Sequence, residues 1–89
     1  MDIVRISVAR SGEVAIDGVA AAPQDLAAAL DRVKNDGGAV YYYREAPQAP
    51  PTDQQLTVFK TIIDARVPIR LSAKPDFSDF VDDSGAPHP

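Results

Sequence analysis

The sequence predicts one small α+β domain in which two helices cover one face of a four-stranded mixed sheet. The chain has 89 residues, the length of a single domain. Stretches in which apolar residues alternate are interspersed with two stretches in which they recur at helical spacing. Two short helices cannot cover both faces of a sheet, so we expect both on the same face.

The first two strands are predicted as a β-hairpin. Apolar residues alternate with polar ones over residues 4–8 and again over 14–17, and Gly12 between them suits a turn. The apolar face of this hairpin comprises Val4, Ile6, Val8, Val14 and Ile16. Gly18 marks a second turn, after which Val19 and Ala20 form a short extension.

The first helix is predicted over residues 23–35. Pro23 suits its first turn because the missing N–H has no helical partner there. Leu26, Leu30 and Val33 then follow at i, i+4 and i+7. The sequence Asn-Asp-Gly-Gly at 35–38 ends the helix.

An apolar run without alternation over residues 39–43 predicts an interior strand. The segment 44–51 that follows contains three prolines, so we expect a stiff, extended loop. This loop could also serve as a polyproline ligand for an aromatic groove.

A second helix over residues 53–65 and a last strand over 69–72 complete the domain. Thr52 and Gln55 match the capping box that begins a helix. The predicted apolar face of this helix comprises Leu56, Phe59, Ile62 and Ile63.

The charge of the chain is uneven, which divides it into a domain (1–74) and an acidic tail (75–89). Residues 1–74 contain all nine Lys and Arg and nine of the thirteen Asp and Glu, so they are neutral overall. The tail contains the other four acidic residues and therefore the entire net charge of −4. We expect the tail to be partly disordered.

Composition excludes several classes of site. The chain has no cysteine and a single histidine, His88, so neither a cysteine zinc site nor a serine–histidine triad is expected. We therefore expect no metal, no cofactor and no enzymatic activity. The acidic balance argues against nucleic-acid partners, and no apolar run is long enough to span a membrane. We expect a soluble cytoplasmic protein, or a periplasmic one if the chain is an excised domain.

The order of these elements over residues 3–72 resembles the periplasmic domain of ExbD/TolR-type biopolymer transport proteins. The resemblance rests on the segment ending in Asp17-Gly18, the Leu26-to-Leu30 step, and the strand that runs into Arg44-Glu45. It implies a bacterial interaction module that pairs with itself or with another protein through a sheet edge or face. The family's membrane helix and its functional aspartate are not in this sequence. We therefore do not expect this chain to perform proton-driven coupling by itself.

Three consecutive tyrosines are the first candidate binding residues. Tyr41 and Tyr43 face one side of the predicted strand and Tyr42 faces the other. One set packs under the helices, and the other could form an exposed contact surface.

Arg44 and Glu45 follow the strand at the end where ligands often bind to α/β sheets. With Asp17, Asp64 and Arg66 they could form a charged ligand site. The alternative is that all five are solvated surface charges.

In the tail, Phe77, Phe80 and Val81 would form an apolar ridge if the segment were helical. Such a ridge could fold on a basic protein partner, or the phenylalanines could pack back onto the domain.

Together these observations favour a non-catalytic protein-interaction domain that uses its sheet or its acidic tail. The alternative is a small-ligand-binding protein or enzyme whose site lies near Arg44, Glu45 and Arg66.

Overall fold

The computed structural model describes residues 3–78, 80–81 and 87–88 and has an α+β fold with a mixed sheet and two helices. The helices are α1 (Pro23–Asp36) and α2 (Asp53–Asp64). Residues 3–72 contribute five strands: β1 (Ile3–Val8), β2 (Val14–Ile16), β3 (Val19–Ala21), β4 (Ala39–Arg44) and β5 (Ile69–Ser72). Two two-residue strands follow, β6 (Phe80–Val81) and β7 (Pro87–His88).

The strand order is β3-β2-β1-β4-β5-β6-β7. Strand β4 is parallel to both of its neighbours, β1 and β5, whereas β1, β2 and β3 pair antiparallel. The sheet is therefore mixed, as predicted. Its register aligns Arg5, Tyr41 and Arg70 on three adjacent strands.

The prediction of four strands is not confirmed, because residues 19–21 form a complete strand rather than a short extension. Asp17 and Gly18 have φ angles of 50° and 85°. Ile16 pairs with Val19 across this two-residue turn. Two consecutive positive φ angles are typical of the tight hairpin turn whose twist matches that of the strands it joins. Asp-Gly is a favoured sequence for that turn, so the signal was present in the sequence.

The core lies between one face of the sheet and both helices. In β1 the buried residues Val4, Ile6 and Val8 alternate with more exposed ones, so only one face of the strand is covered. The cluster that they form includes buried side chains from both helices: Leu26, Ala29, Leu30, Val33 and Ile62. Both helices therefore pack on the same sheet face, as expected. The other face carries Arg5, Tyr41 and Arg70.

A fully buried glutamine, Gln55, connects the start of α2 to the ends of β1 and β4. Its Nε2 donates to the carbonyl oxygens of Val8, at 3.3 Å, and Glu45, at 3.1 Å. Its Oε1 accepts from the backbone N–H of Thr52, at 3.0 Å, and the Thr52 hydroxyl accepts from the Gln55 N–H. The predicted capping box is present, and one of its members also joins the helix to the sheet.

The turn between β1 and β2 lies against the start of α2. The Thr52 hydroxyl donates to the carbonyl oxygen of Arg10, at 2.7 Å. Gly12 has a φ of 91°, and a Cβ at that position would lie 2.6 Å from Cβ of Gln54. Only glycine combines this backbone conformation with so close an approach.

We expect Gln55→Ala to lower the free energy of unfolding by about 2–4 kcal/mol, because it leaves buried carbonyl groups with fewer donors and creates a cavity. Chemical denaturation measures this loss. Gln24→Ala, at an exposed position of α1, is the matched control and should change stability by less than about 0.5 kcal/mol. Equal effects of the two substitutions would show that the buried amide does not connect helix and sheet.

We expect Gly12→Ala to destabilise the domain more than Gly18→Ala does. Both glycines have positive φ, which costs an alanine about 1–2 kcal/mol. The added methyl group collides with Gln54 at position 12, whereas it meets nothing within 4 Å at position 18. The difference between the two unfolding free energies therefore reports the close approach of the turn to α2. Indistinguishable values would contradict that packing.

Candidate functional site

The three tyrosines of β4 alternate between the two faces of the sheet. Tyr42 is buried under α2, with its ring centroid 5.0 Å from that of Phe59. Tyr41 and Tyr43 lie on the opposite face and are partly exposed. The alternation follows from the period of a strand, and the position of the helices decides which set is buried.

The face of the sheet that the helices leave uncovered carries two arginines beside one tyrosine. We call Arg5, Tyr41, Tyr43 and Arg70 the open sheet face. The guanidinium carbons of Arg5 and Arg70 lie 5.8 and 5.2 Å from the ring centroid of Tyr41. Arg70 also donates from Nη1 to the Tyr41 hydroxyl, at 3.1 Å. The register of β1, β4 and β5 therefore holds two cations on one aromatic ring.

Phe77 packs back onto the domain, which was one of the two alternatives for the tail. Its ring meets that of Tyr43 edge to face, with centroids 6.4 Å apart. The predicted apolar ridge required a helix, but Phe80 and Val81 are in a strand, and Val81 pairs with Leu71. Only the backbone of Phe80 is described, so the predicted role of its side chain lies outside the described residues. The prediction of a partly disordered tail also lies outside the described residues at positions 79, 82–86 and 89.

Arg44 holds the proline-rich loop in a turn. Its guanidinium donates to the carbonyl oxygens of Ala46 at 3.5 Å, Pro47 at 3.0 Å and Ala49 at 3.0 Å. The N–H of Ala49 donates to the carbonyl oxygen of Ala46. The expectation of an extended loop is therefore wrong, because one guanidinium draws several loop carbonyls together. An extended polyproline ligand is not formed here.

The charged residues that the sequence grouped with Arg44 do not assemble into one site. Glu45 accepts from the backbone N–H of Arg10, at 2.9 Å, at the C-terminal end of β4. Arg66 precedes β5, which is parallel to β4, so it lies at the opposite end of the sheet. Asp64 ends α2 near Arg66, and its carboxylate pairs with Lys60.

The Asp17 carboxylate accepts a hydrogen bond from the backbone N–H of Arg5. Glu45 and Asp17 therefore support backbone structure.

A cleft of about 510 Å³, which we call the α2 cleft, lies between α2, the C-terminal ends of β4 and β5, and the proline-rich loop. Its lining is mostly apolar and includes Tyr42, Arg44, Pro47, Leu56, Phe59 and Leu71. The sequence placed Leu56 in the core face of α2, but it is 49% exposed. It lines the cleft and stays partly open to solvent, so it is not part of the core.

Tyr42 and Arg44 are two of the polar residues that line the α2 cleft, beside Gln48, Gln55 and Ser72. Burial raises the pKa of the Tyr42 hydroxyl, and the nearby Arg44 guanidinium opposes that shift. The charge of Arg44 therefore acts on the Tyr42 oxygen. Tyr42 and Arg44 were predicted as separate candidates, one from the aromatic run and one from the strand end. Their i, i+2 spacing on β4 places both side chains on the same face of that strand.

Within residues 3–78 and the two short strands, no group of three or more His, Cys, Asp or Glu side chains could hold a metal ion. No helix in the described part of the chain combines the length and apolar character that crossing a bilayer requires.

No protein-family model matches the sequence, and no curated protein matches it significantly.

We expect the wild-type domain to lose stability relative to Tyr42→Phe as the pH rises above about 10. Because the folded pKa of Tyr42 is raised, the unfolded chain releases this proton first, and alkaline pH then favours unfolding. Urea denaturation of both proteins at pH 8 and at about pH 10.5 measures the effect. Tyr41→Phe, on the open sheet face, is the control. A wild-type–Tyr42→Phe difference that does not change with pH would contradict the buried position of this hydroxyl.

Proposed function

We propose that this chain is a non-catalytic protein-interaction domain that binds an acidic surface of a protein partner through the open sheet face. The observation that carries the proposal is the placement of Arg5 and Arg70 on the ring of Tyr41. Arginine and tyrosine are enriched among the residues that dominate the binding energy of protein interfaces.

The geometry reduces the entropic cost of binding. The Tyr41 ring and its hydroxyl restrain Arg70, and the same ring restrains Arg5. Side chains that are already ordered lose less conformational entropy when a partner binds. The open sheet face also offers an area that a partner surface can cover.

Charge supports an acidic partner. The chain has a net charge of −4, yet the residues that define the open sheet face comprise two arginines and two tyrosines. A cation such as Arg5 on this face of an acidic protein favours partners with Asp or Glu at the contact and disfavours basic ones.

The order hairpin, helix, strand, helix, strand is compatible with the resemblance to the ExbD/TolR periplasmic module. We propose on that resemblance a role in pairing with the same or another protein, in a bacterial cell. The expected cytoplasmic location, or a periplasmic one if the chain is an excised domain, stays a prediction, as does the absence of catalysis.

Site-specific photo-crosslinking in cells that naturally express the protein tests this proposal. A benzophenone amino acid at Ser7, which lies beside Tyr43 in the sheet register, should yield a discrete protein adduct. The same amino acid at Thr57, exposed on α2, should yield none. Mass spectrometry identifies the partner and shows whether it is a second copy of this chain.

Charge reversal is the second arm of this test. Arg5→Glu should lower the adduct yield about tenfold or more, because it replaces an attraction with a repulsion at the contact. Lys34→Glu, on α1, makes the same change of charge elsewhere and should leave the yield unchanged. Equal adducts from Ser7 and Thr57, or equal effects of the two reversals, would exclude the open sheet face as the binding surface.

A further inference from the structure

We propose that the α2 cleft binds a small organic acid, with its carboxylate at Tyr42 and Arg44 and its apolar body along Leu56, Phe59 and Leu71. This site is separate from the open sheet face, because Tyr42 and the core lie on the other side of the sheet. The two proposals can therefore fail independently.

The size and lining of the cleft suit a small ligand. Its volume of about 510 Å³ falls within the range of small-molecule sites. Leu56 and Leu71 line it and are 49% and 37% exposed, respectively. A ligand with an apolar body would remove this surface from water, which favours binding in proportion to the area covered.

The hydroxyl of Tyr42 favours a ligand that carries a hydrogen-bond acceptor. The side chain lines the cleft and is only 5% exposed. None of its recorded contacts within the described residues is a hydrogen bond; its ring contacts Phe59. Every fully buried side-chain oxygen or nitrogen among those residues has a hydrogen-bond partner. The Tyr42 oxygen has none, so it is not fully buried, and it is reached from the cleft that its side chain lines. A phenol in an apolar wall is a preformed donor for an incoming oxygen atom.

The positive charge of Arg44 favours a ligand whose hydrogen-bond acceptor is an anion. A guanidinium has five N–H groups, and the three loop carbonyls use at most three of them. Among the described residues that line the cleft there is no Asp or Glu, so none of them opposes the charge of Arg44. A carboxylate is the common anionic group that accepts from a tyrosine and an arginine at once.

Titration of the full-length chain with octanoate tests the proposal, with amide chemical shifts in two-dimensional NMR as the readout. Octanoate should shift the amides of α2, of the C-terminal end of β4, and of Ala46, Gln48 and Ala49 in the loop. Methyl octanoate has the same apolar body without the charge. It should bind at least about tenfold more weakly than octanoate, since hydrogen bonds to charged groups are stronger than those between neutral groups.

Two matched pairs of variants locate the site. Tyr42→Phe removes only the hydroxyl and should weaken octanoate binding about tenfold, whereas Tyr41→Phe, on the other face, should not. Leu56→Gln should weaken binding by a similar factor. Ile63→Gln changes an equally exposed residue of the same helix that is not part of the cleft lining, and it should have no effect. Each tyrosine substitution removes only a hydroxyl, and Leu56 and Ile63 are both 49% exposed, so each variant is expected to fold.

Several outcomes would overturn the proposal. These are equal affinities for octanoate and its methyl ester, equal losses from Leu56→Gln and Ile63→Gln, or no shift of the cleft amides at millimolar octanoate. Binding of an acetylated tripeptide with a free C-terminal leucine, without binding of octanoate, would instead assign the cleft to peptide C-termini.

Discussion

The buried side chain of Gln55 connects β1, β4 and the start of α2 by hydrogen bonds. Its amide group reaches the carbonyl oxygens at the ends of β1 and β4 and the N–H that precedes α2. A buried polar side chain is tolerated only where its hydrogen bonds are made, so these elements have one mutual arrangement in which the amide is satisfied. The position of α2 on the sheet depends on that arrangement.

The features described above follow from where Gln55 places α2. The helix covers Tyr42 but leaves Leu56 and Leu71 at the mouth of the α2 cleft. Arg44, two residues beyond Tyr42 on the same strand face, holds the loop that closes one side of that cleft. Both helices lie on one side of the sheet, so the other face is left to Arg5, Tyr41 and Arg70. The packing of both helices on one side therefore leaves a mostly apolar cleft on that side and two arginines on the other.

Much of the fold was predictable because its signals are local. The helix of Leu26, Leu30 and Val33 and the capping box of Thr52 and Gln55 depend on spacing along the chain, and both are present. The third strand could have been predicted from Asp17-Gly18. The shape of the proline-rich loop could not, because the bonds from Arg44 to its carbonyls decide it. Whether Arg44, Glu45 and Arg66 form one charged group could not be predicted either, because that depends on which strand ends are neighbours.

Residue order was enough to predict the α+β class, the alternation of Tyr41, Tyr42 and Tyr43, and the neutral character of residues 1–74, since periodicity and charge depend on nothing else. The folded chain was needed to show which tyrosines are exposed, that Phe77 packs on Tyr43, and that Tyr42 and Arg44 share a cleft. These outcomes depend on strand pairing between distant residues and on the face that the helices cover. Contacts of that kind arise from packing in three dimensions, and no spacing along the chain encodes them directly.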